Sequence, residues 1–158
     1  MVKPKVALIY KSDERGMSGH HYTTGSYHFF VDGLQQNDRI DVTYHSIARK
    51  LHAADYKGHD LLLVFNLIEG VDWSELAEIN KPKIASNCDG HRIPARIDLF
   101  DKCGIGTFIN SGSTVYARKF LPERFHYCRF SFGIDADRHI SPPWEERLKK
   151  PILVTGEM

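Results

Sequence analysis

Residues 61–65, Leu61-Leu62-Leu63-Val64-Phe65, are apolar at every position, and the run stops at Asn66. A strand with one face in solvent alternates apolar and polar residues, whereas a strand covered on both faces is apolar throughout. The uninterrupted run therefore predicts a central strand in a parallel sheet.

Shorter apolar runs alternate with helical patterns on either side of this strand, as in the β-α units that build parallel sheets. Strands are predicted at 6–10, 40–44, 61–65, 82–86, 107–109 and 124–130, with 40–44 in a more peripheral position. Helices are predicted at 22–36, 47–56, 73–79, 93–102 and 113–120. The predicted fold class is α/β, a three-layer Rossmann-like domain with a mostly parallel sheet of six or seven strands.

Composition predicts one ordinary domain, since the 158 residues are 42% hydrophobic and 26% charged. The net charge of +1 comes from interspersed signs, which argues against nucleic acid or an anionic membrane as the main partner. The apolar run after Lys5 is too short for a signal peptide or a membrane span, so a cytoplasmic location is expected. Cys88, Cys103 and Cys128 lack metal-site or disulfide-framework spacing and are predicted to be reduced, buried thiols.

Small, polar and charged side chains follow the predicted strands at the ends where an open parallel sheet meets its ligands. Gly19, His20 and His21 follow the first strand, and Asn66 ends the central strand. The run Asn87-Cys88-Asp89-Gly90-His91-Arg92 follows the strand at 82–86. We expect one ligand site to contain Gly19, His20, His21, Asn66, Asp89, His91, Arg92 and Ser111.

Simpler roles are open for several of these residues. His20 and His21 also fit a solvated loop. Asp89 fits a helix cap that leaves His91 on the surface, and Ser111 fits an N-cap as well as an anion site. The two loop histidines, Asp89 and His91 could together hold a metal, but their spacing matches no recognised ligand pattern, so no metal is predicted.

Four motifs fall in a telling order along the chain. Met17-Ser18-Gly19-His20-His21 follows the first strand, and Asp89-Gly90-His91 follows a later one. Phe132-Gly133-Ile134-Asp135-Ala136-Asp137-Arg138-His139 has the form FGxDxxxH, and Lys150-Pro151-Ile152-Leu153-Val154-Thr155-Gly156 comes after it. The whole resembles the N-terminal half of a GT-B glycosyltransferase, of the retaining family-four-like and CgeB-like groups.

The resemblance implies half of an enzyme that is inactive, or nearly so, by itself. Residues 1–143 would form the acceptor-side domain, and residues 144–158 a linker with the first strand of a missing second domain, or an edge strand. His91 would contact the transferred sugar or orient an acceptor hydroxyl, with Asp89 fixing its tautomer, and the other candidates would bind substrate.

The cofactor and partners follow from the same resemblance. The nucleotide-sugar donor would be held mainly by the second domain, so no cofactor is expected on this domain alone. The expected partners are a sugar acceptor or other small molecule, a second GT-B domain, and a second copy of the chain.

A second hypothesis is a stand-alone flavodoxin-like domain that binds a small ligand. The first sixty-six residues also resemble ThuA-like relatives of the glutamine amidotransferase fold, which have a His-His loop after strand one. Cys88 does not sit in a Gly-x-Cys-x-Gly turn, so a catalytic cysteine is not predicted.

Overall fold

A computed structural model of the protein describes residues 2–11, 33–65, 70–86, 93–110 and 118–129, with the side chains of Lys11 and Asn110 left aside. Its framework is a six-stranded sheet in the order β2-β1-β3-β4-β5-β6, in which every neighbouring pair is parallel. The strands are β1 (Lys5–Lys11), β2 (Asp41–Ile47), β3 (Leu61–Phe65), β4 (Lys83–Ser86), β5 (Thr107–Asn110) and β6 (His126–Arg129). The predicted α/β Rossmann-like fold is confirmed.

The strand order contains one reversal. β1 lies between β2 and β3, so the chain first adds a strand on one side of β1 and then builds the rest of the sheet on the other side. The order 2-1-3-4-5 is that of flavodoxin-like doubly wound sheets, whose ligands bind beside the switch point between strands one and three.

The helices of the described residues are short. Three 3₁₀ helices span Ala53–Tyr56, Ser74–Glu78 and Pro94–Arg96, and the last of these leads into the α-helix α1 (Ile97–Lys102). Residues 33–35 and 118–120 are also helical.

Apolar side chains pack on both faces of the sheet. The larger cluster packs Ala7, Ile9 and Val64 of the strands against residues such as Leu76 and Phe100 from the helices. The other face carries a smaller cluster whose buried members are Val6, Leu8, Leu63 and Phe65. β3 contributes to both clusters, as its uninterrupted apolar run predicts.

The end of α1 follows from local sequence. Gly104 has φ +66°, a left-handed conformation that glycine adopts without steric penalty. Its N–H donates to the Asp101 carbonyl at 3.0 Å, and the Ile105 N–H donates to the Phe100 carbonyl at 2.9 Å. The predicted helix stop at Cys103-Gly104 is therefore confirmed.

Most predicted elements that the structure describes are confirmed within one to three residues, but two predictions need correction. The helices predicted at 22–36 and 113–120 lie mostly outside the described residues. The helix predicted at 47–56 is wrong over its first half: β2 continues to Ile47, Lys50 forms a bridge with Asp72, and only Ala53–Tyr56 is helical. Cys103 is a buried free thiol as predicted, whereas Cys128 is exposed, because it lies on strand β6, where Tyr127 alone is partly buried.

Within the described ranges, no helix combines the length and the apolar character that crossing a membrane requires.

Candidate functional site

The carboxyl ends of the described strands meet along one edge of the sheet. Phe65 at the end of β3 is in register with Ser86 at the end of β4, which is in register with Ile109 of β5. We call this the carboxyl edge. The residues that follow these strands along the chain therefore continue from neighbouring positions of the sheet.

The eight site residues predicted from sequence come after these strands along the chain. Gly19, His20, His21, Asn66, Asp89, His91, Arg92 and Ser111 all lie outside the described residues. Their convergence on one site, and the catalytic pairing of Asp89 with His91, stay predictions. The FGIDADRH phrase and residues 144–158 lie outside the described residues as well.

Ser86 is a described residue at this edge with an unexplained polar group. It has no exposed surface, and its Oγ has no hydrogen-bond partner in the part of the chain that the structure describes. Buried hydroxyls are usually paired, so an orphan one calls for a cause such as a ligand contact. Ser86 directly precedes the Asn87-to-Arg92 motif.

A cleft of about 590 Å³ opens at the carboxyl end of β2. We call it the β2 cleft; it is lined by Tyr44, His45, Ser46, Ile47, Ala48, Arg49, Lys50, His52, Asp55 and Tyr56. Most of the wall is the end of β2 and the segment that leads into the 3₁₀ helix Ala53–Tyr56.

Hydrogen bonds fix the path of this segment. The Leu51 N–H donates to the Asp72 carbonyl at 3.1 Å, and the Asp72 N–H donates to the Arg49 carbonyl at 2.7 Å. The Ala53 N–H donates to Glu75 Oε2 at 3.0 Å. The wall of the β2 cleft is thus tied to the chain around residues 72–75.

The cations of the cleft differ in their partners. Lys50 Nζ lies 2.8 Å from Glu75 Oε1, and His52 Nδ1 lies 3.6 Å from the same oxygen. The hydrogen bond to the Lys50 ammonium holds the pKa of the Glu75 carboxyl below its usual range. Arg49 makes no side-chain hydrogen bond or ion pair with the described residues, so its guanidinium is available to a ligand.

Two histidines and a threonine meet beside the cleft. Thr43 Oγ1 lies 2.6 Å from His59 Nε2 and 3.1 Å from His45 Nε2, and the two Nε2 atoms are 3.4 Å apart. The His45 ring also packs on Tyr56 at a centroid distance of 4.9 Å. We call Thr43, His45 and His59 the histidine cluster.

Hydrogen-bond satisfaction determines which nitrogen carries the proton in each imidazole of this cluster. His59 Nδ1 is buried without a partner among the described residues, so a proton there would be an unsatisfied donor. His59 therefore carries its proton on Nε2 and donates to Thr43, whose hydroxyl donates to His45 Nε2. A neutral His45 completes this network.

The ionisation of the cluster agrees with that count. Burial lowers the pKa of His45, the adjacent His59 lowers it further because two neighbouring imidazoles resist being charged together, and Asp55 acts in the opposite direction. Burial raises the pKa of Tyr56 to about 12, so this phenol stays protonated. His45 is therefore neutral at pH 7, because its surroundings disfavour the imidazolium.

Among the described residues, no three His, Cys, Asp or Glu side chains come together in a way that could hold a metal ion. The four residues weighed as metal ligands from sequence lie outside this part of the chain.

Sequence reasoning missed the histidine cluster and Arg49. The alternation along β2 could have placed Thr43, His45 and Ile47 on one face, since all three are two residues apart in a strand. His59 gave no such signal, because it reaches Thr43 across sixteen positions of sequence.

Comparison with protein-family models, curated proteins and solved structures finds no match for this chain.

Proposed function

We propose that this chain binds a small polar ligand at the carboxyl edge, beside the switch point between β1 and β3. The observation that carries the proposal is the buried hydroxyl of Ser86 at that edge, which has no hydrogen-bond partner among the described residues. Doubly wound sheets meet their ligands at the carboxyl ends of their strands, and Ser86 ends β4. Because Ser86 has no exposed surface, a ligand must displace the atoms that cover it before it can bond to the hydroxyl, and the bond would then satisfy this polar group.

We further propose that the ligand is a sugar acceptor and that the chain is the acceptor-side half of a glycosyltransferase-like protein. Support comes from the Asp89-Gly90-His91 motif, which begins three residues after the end of β4. In this proposal His91 orients an acceptor hydroxyl and Asp89 fixes the imidazole tautomer. A second domain would hold the nucleotide-sugar donor, so transfer requires both halves.

A specific observation favours the second hypothesis as well. The described strand order is that of flavodoxin-like sheets, which act as complete ligand-binding domains. In this alternative the chain binds its small ligand without a partner domain and without a catalytic cysteine.

The test is a titration of the ¹⁵N-labelled 158-residue chain, followed by NMR, with neutral mono- and disaccharides, nucleotide-sugars and flavin mononucleotide. We expect saturable shifts at the Phe65 and Ser86 amides, and binding at least about tenfold weaker in the Ser86→Ala variant, from loss of a hydrogen bond in a buried site. Thr107→Ala, at the opposite end of the neighbouring strand β5, is the matched control and should bind as the wild type does.

The ligand separates the two proposals. Binding of neutral sugars that is lost in His91→Gln and Asp89→Asn supports the acceptor-side domain. Binding of a nucleotide or flavin by the chain alone supports the flavodoxin-like alternative. Shifts that spare the carboxyl edge for every ligand, or equal binding by Ser86→Ala, would contradict the proposed site.

A further inference from the structure

We infer that the β2 cleft is an oxyanion subsite, which takes a phosphate or carboxylate group of the ligand and couples its binding to protonation of His45. This inference rests on the proposed function and deepens it, because it assigns a charged group to the ligand. The argument uses the charges, the size and position of the cleft, and the histidine cluster.

Charge is the first reason. Arg49 lines the cleft and is free of ion pairs with the described residues, while Lys50 and His52 share Glu75. Among the lining residues that the structure describes, Asp55 is the one carboxylate. A free guanidinium presents paired donors that match the oxygens of a phosphate or carboxylate.

Size and position are the second reason. The volume of about 590 Å³ falls in the range of small-molecule sites and exceeds what a single ion needs. β2 lies next to β1 in the sheet, so the cleft is one strand away from the switch point. One ligand could place its polar body at the carboxyl edge and its anionic group in the β2 cleft.

The histidine cluster supplies the coupling. His45 lines the cleft, and the groups that face it are Thr43 on its own strand, His59 from the segment before β3, and Asp55 and Tyr56 from the 3₁₀ helix. An anion in the cleft favours the imidazolium. When His45 Nε2 takes up a proton, Thr43 can turn its own hydroxyl proton away and accept from both imidazoles.

The sign of the pH dependence follows. Burial and His59 lower the pKa of His45 in the free protein, and a bound anion raises it. Between these two values each binding event takes up part of a proton, so affinity increases as pH falls from the pKa of His45 in the bound state toward its lowered pKa in the free protein. Added salt weakens binding, because the cleft is open to solvent.

The experiment uses the 158-residue chain with pyrophosphate and malonate as probes. Calorimetry between pH 5.5 and pH 8, in buffers of different ionisation enthalpy, measures affinity and proton uptake, and ¹⁵N NMR locates the site. We expect shifts at residues 44–56 and binding about tenfold weaker in Arg49→Gln, recovered in part by Arg49→Lys. Lys57→Gln, an exposed lysine outside the cleft lining, is the control and should bind normally.

Three further variants test the coupling. His45→Gln should lose the gain in affinity between pH 8 and acid pH, whatever its affinity at pH 8. His59→Gln removes the neighbouring imidazole that opposes a charge on His45, so the gain should begin at higher pH. His52→Gln, which alters another imidazole of the cleft, should keep the pH profile; loss of the profile in that variant instead of His45→Gln would overturn the coupling.

The outcomes distinguish this inference from the proposed function. Anion shifts at residues 44–56 that respond to Arg49 support the subsite, and a preference for pyrophosphate or malonate identifies the group. If neither probe binds, or both bind equally to Arg49→Gln, the subsite is wrong, while ligand shifts at Phe65 and Ser86 would still support the proposed function. Probe binding at residues 44–56 with no ligand effect at the carboxyl edge would leave the subsite standing and contradict the proposed function.

Discussion

Strands β3 and β2 lie on either side of β1, yet they differ in almost every physical respect. Four of the five residues of β3 are buried, and their side chains enter the apolar clusters on both faces of the sheet. β2 alternates exposed and half-buried positions, and only Ile47 is buried. The central strand has no room for chemistry, whereas the edge strand carries Thr43 and His45 at positions that water and ligands can reach.

Within the described sheet, the residues that stabilise the fold are therefore different from the residues that a ligand can reach. A polar side chain in the middle of β3 would have to find a buried partner or lose the hydration of its polar group. On β2, Thr43 and His45 find partners in His59 and Tyr56 while His45 still lines a cleft. We therefore expect changes in β3 to alter unfolding, and changes in β2 to alter titration and binding.

The largest effect is expected from one substitution made in both strands. Val64→Ala in β3 removes fully buried methyl groups from the larger cluster and should lower the free energy of unfolding by about 2 kcal/mol. Val42→Ala in β2 removes half-buried methyl groups and should cost less than about 1 kcal/mol. Urea unfolding of both variants measures these two losses of free energy, provided that the m-values are unchanged. Equal losses would contradict the proposed difference between β3 and β2.

How far the sequence predicted this contrast can be judged from the same strands. The bounds of β3 were predicted correctly, because burial on both faces demands an uninterrupted apolar run and nothing distant alters it. β2 was placed correctly at the periphery but ended too early. Ile47 and Leu51 have helix-like spacing, yet the backbone from Arg49 to Leu51 pairs with Asp72, a long-range contact that local spacing cannot predict.

The candidate site was less accessible to sequence reasoning than the fold. Ends of parallel strands are predictable places for chemistry, and Ser86 lies at such an end. The histidine cluster depends on His59, which the fold brings beside β2 from sixteen residues beyond Thr43. Sequence patterns report neighbours along a strand or helix and carry no record of such a contact.

The second effect concerns acid and the edge strand. Because the pKa of His45 is lowered in the folded protein, the unfolded chain binds more protons below about pH 6.5. The stabilising contribution of neutral His45 is full above that pH and is lost as pH falls through the folded pKa. His45→Gln should flatten this part of the stability curve, measured by urea unfolding from pH 5 to pH 8.

A matched comparison keeps this prediction specific. His126→Gln removes an exposed imidazole from β6 at the other edge of the described sheet, and its stability curve should follow that of the wild type. If the stability curves of His45→Gln and the wild type coincide below pH 6.5, the prediction is wrong, and the histidine cluster does not bind its protons as its geometry implies.

The third effect tests Lys83, the one lysine among the buried residues that the structure describes. Lys83 begins β4 with only 8% of its surface exposed, and burial lowers the pKa of its ammonium. The cost of keeping it charged is present at neutral pH and falls away as pH rises through its folded pKa toward the unfolded value of about 10.4. Lys83→Met should therefore raise the melting temperature by roughly 1–3 °C at pH 7, and by less near pH 10.

The neighbouring Lys81 provides the control. Its side chain is exposed just before the same strand, so Lys81→Met should leave the melting temperature within about 1 °C of the wild type at both pH values. A fall in melting temperature for Lys83→Met would mean that the ammonium stabilises the fold through its surroundings near Cys103, which raise its pKa slightly against the effect of burial.

The smallest effect separates the wall of the β2 cleft from the fold. Glu75 accepts the Ala53 N–H and pairs with Lys50, but Lys50 is exposed and Glu75 is only half-buried, so the pair contributes little to global stability. Glu75→Gln keeps an oxygen for Ala53 and removes the ion pair, so unfolding should hardly change while the Ala53 amide exchanges faster with deuterium. Because the pKa of Glu75 is lowered, the wild type should lose this protection as pH falls through the folded pKa of the carboxyl, and the variant should not.

Hydrogen exchange of Ala53 and Val64 in the same sample measures both regions: a change at Ala53 alone locates the effect in the cleft wall, whereas equal changes would make the wall part of the same cooperative unit as the central strand.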